Sequence, residues 1–428
     1  KNGMAWEGIR QAAIDGIASG LAAIMILLAV GALIGTWALS GTIVAMVYYG
    51  LQILSPNYFY ATTALICAVI GISIGSSWTV PGTIGIGLMG VAASMNLSPE
   101  ITAGAVISGA YFGDKASPLS DTANLATATA GSGIYEHIRE SLFTSIPALL
   151  IAVLMFSALG APGDFDASAM LSGLERGFNI SLWAFLPLLV VLGLSIARFP
   201  PFVTIFIGAL VGGVMAVLLD LSRVIAFAAD PEAPAPLAAI KGIWMALANG
   251  YVASSGNQAI DVILTRGGMS SMMNTVWLII TALAFGATVE HAGLLNRLID
   301  PLIHGVKSVG GLVASVVATC IGANIVTSDQ YISIAIPARL FRPEFLKRGL
   351  APVLLSRVVG DSATVTSPLI PWNSCGAYMA AALGVPATGF ALYCFFNLLN
   401  PLLTILFVVL GFRVLRSTIV AGAAAQQR

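Results

Sequence analysis

The chain has 428 residues, of which 58% are hydrophobic and only 9% are charged. Soluble domains carry roughly a quarter charged residues, so this composition excludes a globular surface that faces water. The 19 basic and 19 acidic residues give zero net charge, which leaves no electrostatic argument for nucleic acid as a partner.

Charge-free stretches lie near both ends of the chain. Residues 16–99 contain no Asp, Glu, Lys, Arg or His, and the same is true of residues 362–412. A membrane-spanning helix needs about 20 mainly apolar residues, so each stretch holds several spans joined by short loops. The sequence therefore predicts an all-α polytopic membrane protein.

The first polar interruption within this apolar background is Gly-Ser-Ser-Trp-Thr at residues 75–79. Its counterpart later in the chain is residues 322–329, and both are interpreted as helix breaks. Close packing by small residues is the alternative. If the breaks contact an ion, the side chains that could line its path are Ser76, Ser77, Trp78, Thr79, Asn324 and Thr327.

Two further polar segments carry a repeated pattern. Residues 113–124 begin with Gly-Asp and continue to Ser-Pro-Leu, and residues 360–374 repeat this order about 250 residues later. Both are rich in Gly, Pro, Ser, Thr and Asn, which interrupt helices and supply oxygen atoms. Non-helical backbone at membrane depth is tolerated only where protein or a watery cavity covers it. These segments predict discontinuous, broken or re-entrant helices near the bilayer midplane; surface loops are the alternative.

The repeated pattern divides the chain into two related halves. Residues 1–160 form the first repeat, residues 161–240 contain linker loops and a helical hairpin that opens the second repeat, and residues 241–428 complete it. The hairpin is predicted at residues 180–197 and 202–219, followed by an outside loop at 230–236. The first repeat has no copy of this hairpin, so we expect one upstream of the present sequence.

Charge at equivalent points of the two halves predicts opposite orientations. The first half ends in an acidic loop with Asp164 and Asp166, whereas the second ends in Arg413 and Arg416. The positive-inside rule places the C-terminus and the densest basic loop in the cytoplasm of a prokaryotic inner membrane. Two inverted-topology repeats are therefore expected. The basic loop contains Arg339, Arg342, Lys347 and Arg348.

Carboxylates in apolar surroundings are the candidate ion and proton sites. Asp114 and Asp361 rank first because they are repeat mates, followed by Asp121, Glu290 and Asp329. Burial raises the pKa of a carboxylate and a bound cation lowers it, so one such group can exchange Na⁺ for H⁺ by competition. We expect Na⁺ at Asp114, Asp121 and Asp361, supported by oxygen donors and lining residues at Ser117, Ser120, Thr122, Asn124, Thr364, Thr366, Ser367, Asn373 and Trp372.

A structural alternative exists for the two leading aspartates. Lys115 follows Asp114, and Arg357 lies four residues before Asp361. Each carboxylate could therefore simply neutralise a nearby cation.

Four stretches of the chain resemble the NhaC family of sodium/proton antiporters. They are GSSWTVPGTIGIGLMG (residues 75–90), ISGAYFGDKASPLSDTANLA (107–126), TSDQYISIAIPARLFR (327–342) and DSATVTSPLIPWNSCGAYMA (361–380). The resemblance implies membership of the ion transporter superfamily, with a polar site between broken helices of two inverted repeats. It further implies that cytoplasmic Na⁺ is exchanged for external H⁺ by alternating access.

The partners expected for such a protein are the lipid bilayer, Na⁺ and H⁺, with Na⁺ as the transported ion. Neither nucleic acid nor a cofactor is expected. A homodimer is a further hypothesis. No pattern of catalytic residues favours an enzyme. The resemblance also leaves open a Na⁺/H⁺-coupled exchanger of organic anions such as malate and lactate, with Lys115 or Arg357 as the anion anchor. A non-transporting membrane scaffold or sensor is the third alternative.

Overall fold

The structure, a computed structural model, describes residues 5–160, 167–254, 261–262, 264–294, 297 and 308–416. Asp164, Asp166 and the C-terminal end of the chain, for which loop character and orientation are predicted above, lie outside these residues. The described helices are α1 (Trp6–Ser19), α2 (Leu21–Leu39), α3 (Thr42–Ile53), α4 (Phe59–Ile74), α5 (Ile86–Ser94), α6 (Pro99–Ala116), α7 (Asp121–Ala130), α8 (Ile134–Ala158), α9 (Ser168–Gly177), α10 (Leu186–Ile196), α11 (Pro201–Ala228), α12 (Ala235–Asn249), α13 (Met273–His291), α14 (Val309–Thr327), α15 (Gln330–Lys347), α16 (Pro352–Val359), α17 (Ser374–Leu383), α18 (Ala387–Phe390) and α19 (Phe395–Val409).

Several of these helices are long and apolar enough to cross a membrane. In the described part of the chain there are six, or up to eight if each of two sharply bent helix pairs forms one span. Large apolar side chains such as Leu154, Leu218 and Phe285 are exposed on their outer faces. A contiguous apolar exterior suits lipid rather than water, and the chain is an all-helical, multi-span membrane protein. The six spans are Leu21–Leu39, Pro56–Ile74, Ile134–Ala158, Pro201–Ala228, Met269–His291 and Val309–Thr327.

Local sequence signals fix where the broken helices start and stop. Ser120 begins α7 by accepting a hydrogen bond from the amide of Ala123 at 3.1 Å, and Asp329 begins α15 in the same way with Ile332 at 2.8 Å. Asn373 caps α17. Such side chains satisfy amide groups that have no partner within the helix. These caps place helix N-termini at the polar segments.

Glycine brings α4 and α6 into close contact. A Cβ atom on Gly113 would lie 2.5 Å from the Cα of Gly71, and one on Gly109 would lie 2.1 Å from the carbonyl oxygen of Ala64. Small residues allow helix backbones in membranes to approach this closely. The packing places the end of α6, which carries Asp114, beside the end of α4.

Two apolar cores meet at the repeated segments. The first core includes Tyr111, which precedes the first Gly-Asp segment, and Val365, which lies within the second. The second core includes Ala126 and Ala363. Each Gly-Asp segment therefore passes from one core to the other, and the polar residues lie between them.

The helix breaks are narrower than predicted. Helix α6 continues through Asp114 to Ala116, so the first Gly-Asp segment is non-helical only at residues 117–120. In the second segment the chain forms a π-helical turn at Gly360–Thr364 before it leaves helical geometry. Residues 360–368 are buried, so the surface-loop alternative is wrong for that part of the second segment. In the first segment Ser117 and Ser120 are buried, whereas Pro118, Asp121 and Asn124 are exposed.

The predicted hairpin is present as α10 and α11, joined at residues 197–200. Its second helix reaches residue 219 as predicted; non-helical backbone at Asp220 then separates it from a further helical stretch that ends at Ala228. The loop predicted at residues 230–236 ends earlier because Pro236 lies in the first turn of α12, where its missing amide hydrogen costs no helical bond.

Candidate functional site

Four helix breaks meet at one narrow cavity of about 80 Å³. The breaks follow α4, α6, α14 and the π-helical turn at Gly360–Thr364, and each contributes side chains to the wall. Discontinuous helices that converge on a polar cavity are the usual construction of an ion site in a transporter. The polar lining residues are Ser19, Ser76, Ser77, Asp121, Thr122, Asp329, Gln330, Tyr331, Ser374 and Cys375, with Trp78 among the apolar ones.

Asp114 is fully buried at the end of α6, behind this cavity wall. Its Oδ2 accepts a hydrogen bond from the Thr122 hydroxyl at 3.0 Å. Its Oδ1 is buried and has no hydrogen-bond partner within the described part of the chain. The Ser77 and Ser120 hydroxyls and the Asp121 carboxylate are also close enough to act on it. A buried carboxylate oxygen without a donor, surrounded by hydroxyl oxygens, can take a proton or a hard cation.

Asp121 lies at the cavity mouth. Its Oδ2 accepts a hydrogen bond from the Tyr331 hydroxyl, which joins the first Gly-Asp segment to α15 of the other half. Together with Ser76, Asp121 also lines a second, wider cavity of about 330 Å³. We call this the vestibule; its further lining residues include Thr79, Asn124, Ser195 and Arg198.

Several predicted oxygen donors of the second half hold the backbone instead of lining the cavity. The Asn324 amide donates to the Ala363 carbonyl at 2.8 Å and to the Thr366 hydroxyl at 3.0 Å. Asn373 donates to Asn324 at 3.2 Å, and Trp372 donates to the Ile325 carbonyl at 2.8 Å. These bonds satisfy polar groups that the breaks leave without helical partners. They lock α14 to the second Gly-Asp segment.

The other predicted residues at the breaks also bond locally. The Ser367 hydroxyl donates to the Thr364 carbonyl at 2.8 Å. The Thr327 hydroxyl donates to the Ala323 carbonyl at 2.9 Å, and the Ser117 hydroxyl accepts from the Leu119 amide at 3.3 Å. In the first break, Trp78 stacks on Tyr378 with ring centroids 4.2 Å apart.

Asp361 lies in a separate polar cluster. Its Oδ1 pairs with the ammonium of Lys115, and its Oδ2 accepts hydrogen bonds from the Thr144 and Thr404 hydroxyls. Lys115 also donates to the Asn400 side chain at 3.2 Å. All of these residues are buried. The repeat mates Asp114 and Asp361 therefore occupy adjacent clusters, linked by the chain step from Asp114 to Lys115.

The buried cations Lys115 and Arg357 do not pair with the aspartates that lie near them in the sequence. Lys115 neutralises Asp361 rather than Asp114, and Arg357 lies 3.9 Å from Glu140. Glu140 also pairs with Arg413 at 2.7 Å. The sequence interpretation did not single out Thr144, Thr404, Asn400 or Glu140. Asn400 and Thr404 are isolated polar residues in the apolar helix α19, which was the available signal for them; Thr144 is adjacent to Ser145, and Glu140 lies in the polar start of α8.

Glu290 is away from the narrow cavity. It lines a groove of about 600 Å³ between α1 and α13, together with Asp15 and His291. Ser19 lines both this groove and the narrow cavity. Asp329 uses one carboxylate oxygen to cap α15. Among the candidate carboxylates of the second half, it is the one that lines the narrow cavity.

These features define a class of protein: a multi-span membrane transporter whose polar cavity is built from broken helices. A family model described as the Na⁺/H⁺ antiporter family matches residues 109–412. The chain belongs to the Na⁺/H⁺ antiporter family, and its members are transporters, not enzymes.

Individual relatives are similar over nearly the whole chain. The Na⁺/H⁺ antiporter NhaC of Alkalihalophilus pseudofirmus is 37% identical over 414 residues, which cover 96% of this chain and 86% of that protein. The Na⁺/H⁺ antiporter NhaC of Bacillus subtilis is 38% identical over 411 residues, covering 94% and 87%. The malate-2H⁺/Na⁺-lactate antiporter of Bacillus subtilis is 31% identical over 422 residues, covering 96% and 84%.

Proposed function

We propose that the protein exchanges cytoplasmic Na⁺ for external H⁺ by alternating access, with Asp114 as the shared binding group. The observation that carries this proposal is the unpartnered, buried Oδ1 of Asp114 beside a cavity where four helix breaks meet. A buried carboxylate is costly unless it binds a cation or a proton. Competition between the two for one oxygen is sufficient for exchange.

The atoms around Asp114 suit Na⁺. The Thr122, Ser120 and Ser77 hydroxyls each offer an oxygen, and hard cations prefer oxygen ligands. Asp121 adds a second negative charge at the entrance from the vestibule. We therefore assign Na⁺ to Asp114 and Asp121, with Asp329 completing the charge on the opposite wall. Asp361 is held by Lys115 and two threonines, so we assign it no Na⁺ but a proton of its own, in addition to the proton that competes with Na⁺ at Asp114.

We also infer that the two halves are inverted repeats with the boundaries 1–160, 161–240 and 241–428. Both halves have the same order of elements, which supports this inference. A span, a break and further helices occur at α4 to α6 and again at α14 to α16. In each half a second break and a final apolar helix follow, α8 in the first and α19 in the second. The basic residues Arg339, Arg342 and Lys347 were predicted to lie in a loop but lie in the second half of α15. The positive-inside rule favours a cytoplasmic position for this end of α15, in a prokaryotic cell membrane.

Coupled exchange of organic anions is the second candidate, favoured by the size of the vestibule and by Arg198 in its wall. A volume of about 330 Å³ is at the lower end of the range for small-molecule sites. Lys115 and Arg357 are unsuited as anion anchors because they face Asp361 and Glu140. Addition of malate or lactate to one side of the membrane should leave Na⁺ flux unchanged if the first proposal is right.

The decisive experiment is Na⁺-driven proton flux in proteoliposomes. Asp114→Asn should abolish both this flux and ²²Na⁺ uptake, because the amide keeps the shape but neither binds Na⁺ strongly nor takes a proton. Asp230→Asn is the matched control, since Asp230 lies in a loop and pairs only with Lys241 among the cations described. Full activity of Asp114→Asn would refute the assignment.

A further inference from the structure

We propose that protons reach Asp361 along a chain of hydroxyl groups and one imidazole that is separate from the sodium cavity, with His137 as the relay residue. This inference rests on the antiport proposed above and adds the route of the proton. It commits to two pathways through the protein: Na⁺ through the vestibule and H⁺ along α8.

His137 is buried in α8 with a hydroxyl facing each of its ring nitrogens. Its Nδ1 lies 3.1 Å from the Ser356 hydroxyl and its Nε2 lies 3.5 Å from the Ser141 hydroxyl. All three residues are at most 1% exposed. An imidazole can take a proton on one nitrogen while releasing one from the other. This geometry therefore allows proton transfer through the ring, which a histidine with only one polar neighbour could not support.

The outer end of the chain reaches a less buried part of the protein. The Ser132 hydroxyl donates to the Ser356 hydroxyl at 2.9 Å. Ser132 is only half-buried and lies in the short turn between α7 and α8. Neither Ser132 nor Ser356 lines the narrow cavity or the vestibule. The entrance is thus distinct from the sodium path.

The inner end of the chain reaches Asp361. Ser141 and Thr144 are three residues apart on α8, which places them as neighbours on one face of the helix. The Thr144 hydroxyl donates to Oδ2 of Asp361 at 2.9 Å. Gly360 leaves room for this arrangement, since a Cβ there would lie 3.3 Å from the His137 ring. The chain therefore ends at the ion pair next to the sodium site.

Each transfer conserves protons. A proton from water joins Ser132, whose own proton passes to Ser356; the Ser356 proton then passes to Nδ1 of His137. The imidazole releases its Nε2 proton to Ser141, the Ser141 hydroxyl passes its own proton to Thr144, and the Thr144 hydroxyl passes its own proton to the Asp361 carboxylate. The Thr144 hydroxyl also donates to the Ser141 carbonyl at 2.9 Å, so the Ser141 and Thr144 hydroxyls must rotate towards each other for this step. Ser356 presently donates to the Val353 carbonyl at 3.1 Å, so its hydroxyl must rotate for this step.

Arrival of the proton changes the charge beside the sodium site. While Asp361 is ionised, it neutralises Lys115; once it is protonated, the Lys115 ammonium has lost that counter-charge. Lys115 also interacts electrostatically with Asp114. An uncompensated positive charge in a poorly solvated site repels Na⁺ strongly. Protonation of Asp361 therefore promotes release of Na⁺ from Asp114, which couples the two pathways.

Other charged groups face the relay from the surrounding helices. They are Lys115 on α6, Arg357 on α16, Asp361 in the π-helical turn, Glu140 on α8 and Arg413 after α19. The pH profile of transport reports on this set together with His137. A variant must consequently be compared with wild type over the whole profile.

The test measures two fluxes in the same proteoliposomes: Na⁺-driven proton flux, and ²²Na⁺/Na⁺ counterflow at equal pH on both sides. We expect His137→Leu and Ser356→Ala to slow proton-coupled flux by about 10-fold or more and flatten its pH profile. Counterflow should stay within about twofold of wild type, since Na⁺/Na⁺ exchange needs no proton relay. His291→Leu and Ser73→Ala, which change exposed residues, are the controls.

His137→Gln separates relay from structure. Glutamine keeps hydrogen-bonding groups at that position but cannot pass a proton, so it should show the same selective loss. Unchanged proton-coupled flux in His137→Leu or His137→Gln overturns the proposal, and so does equal loss of both fluxes in His137→Gln, which would indicate a structural role. Retained counterflow in Asp114→Asn contradicts the sodium site and is a separate result.

Discussion

Asp114 and Asp361 occupy equivalent positions in the sequence pattern but differ in what surrounds them. Both are fully buried. Asp361 uses both oxygens, one for Lys115 and the other for two threonine hydroxyls. Asp114 has one hydroxyl donor and one oxygen without a partner in the described residues. A buried ionised group is tolerated only when it is paired, which favours Asp114 over Asp361 as the proposed Na⁺ ligand.

The hydroxyl of Thr122 should therefore matter for Na⁺ affinity. Thr122→Val keeps the shape of the side chain and removes its oxygen; a hydrogen bond or ligand contact to a charged group contributes about 1.5–3 kcal/mol. We expect half-saturation of transport to require about 10-fold more Na⁺ or greater, whereas Thr122→Ser stays near wild type. The measurement is initial proton flux against Na⁺ concentration.

The control for this variant lies on the same helix. Thr129→Val removes a hydroxyl that donates only to the carbonyls of Leu125 and Ala126 in its own helix. It should leave the Na⁺ dependence unchanged. Equal effects of the two valine variants would mean that helix stability, not an ion contact, is responsible.

The Lys115–Asp361 pair should behave as a buried pair in stability measurements. Breaking it by Asp361→Asn leaves an uncompensated ammonium and should destabilise the protein by about 3–5 kcal/mol. Lys115→Met added to Asp361→Asn should recover much of this, because no lone charge remains. Thermal unfolding in detergent measures both. Asp230→Asn, which breaks the partly exposed pair with Lys241, should leave the unfolding temperature almost unchanged.

At the scale of helices, the sequence predicted the breaks better than the contacts between them. The polar segments at residues 75–79, 113–124, 322–329 and 360–374 all contain breaks, because proline, glycine and capping side chains act locally. The residues that bind Asp361 could not be predicted from such local signals. Thr144, which precedes Ser145, and Thr404 carry no sequence signal that links them to Asp361, and only the packing of α8 and α19 brings them to the carboxylate. Likewise, nothing in the sequence places Glu290 outside the cavity.

The break after α4 depends on a glycine for two reasons that can be separated. Gly75 has φ of +71°, and a Cβ on it would lie 2.6 Å from Cβ of Leu119 in the neighbouring break. Gly384 has nearly the same φ, +72°, but has nothing within 4 Å of its Cβ position. Left-handed geometry costs a residue with a Cβ about 1–2 kcal/mol.

Alanine at both positions consequently makes a matched pair. Gly384→Ala should lower stability by about 1–2 kcal/mol and keep transport, whereas Gly75→Ala should lose more stability and most of its Na⁺-driven flux. The additional loss arises because Leu119 must move away from its position in the vestibule wall. Thermal unfolding and proton flux measured on the same preparations test this, and indistinguishable variants would contradict it.

For the whole molecule, the position of the polar cavity between two apolar cores suggests what moves. The first Gly-Asp segment leaves the core that contains Tyr111 and enters the core that contains Ala126, and the second segment crosses in the opposite direction. Movement of one core against the other would deform mainly these segments. The broken backbone can absorb such movement more easily than an intact span, because its hydrogen bonds are not part of a continuous helical ladder.

The vestibule and the narrow cavity share Ser76, Asp121 and Pro201 in their walls. If Na⁺ enters through the vestibule, as proposed above, the charge of the vestibule should influence its entry. Arg198, at the turn between α10 and α11, lines the vestibule together with Asp121. Unit charges about 8 Å apart in water interact by about 0.5 kcal/mol, and Arg198→Glu changes the charge by two units. We expect transport by Arg198→Glu to reach half-saturation at a Na⁺ concentration about two- to fivefold lower than that needed by the wild type.

Salt dependence identifies the electrostatic origin of this effect. Raising ionic strength with choline chloride from about 0.01 M to about 0.15 M shortens the screening length from about 30 Å to about 8 Å, so the advantage of Arg198→Glu should shrink. Arg139→Glu reverses an exposed charge that does not line the vestibule and should leave Na⁺ dependence unaltered. An equal shift in both variants would mean that overall surface charge attracts Na⁺, and that the vestibule is not its specific route.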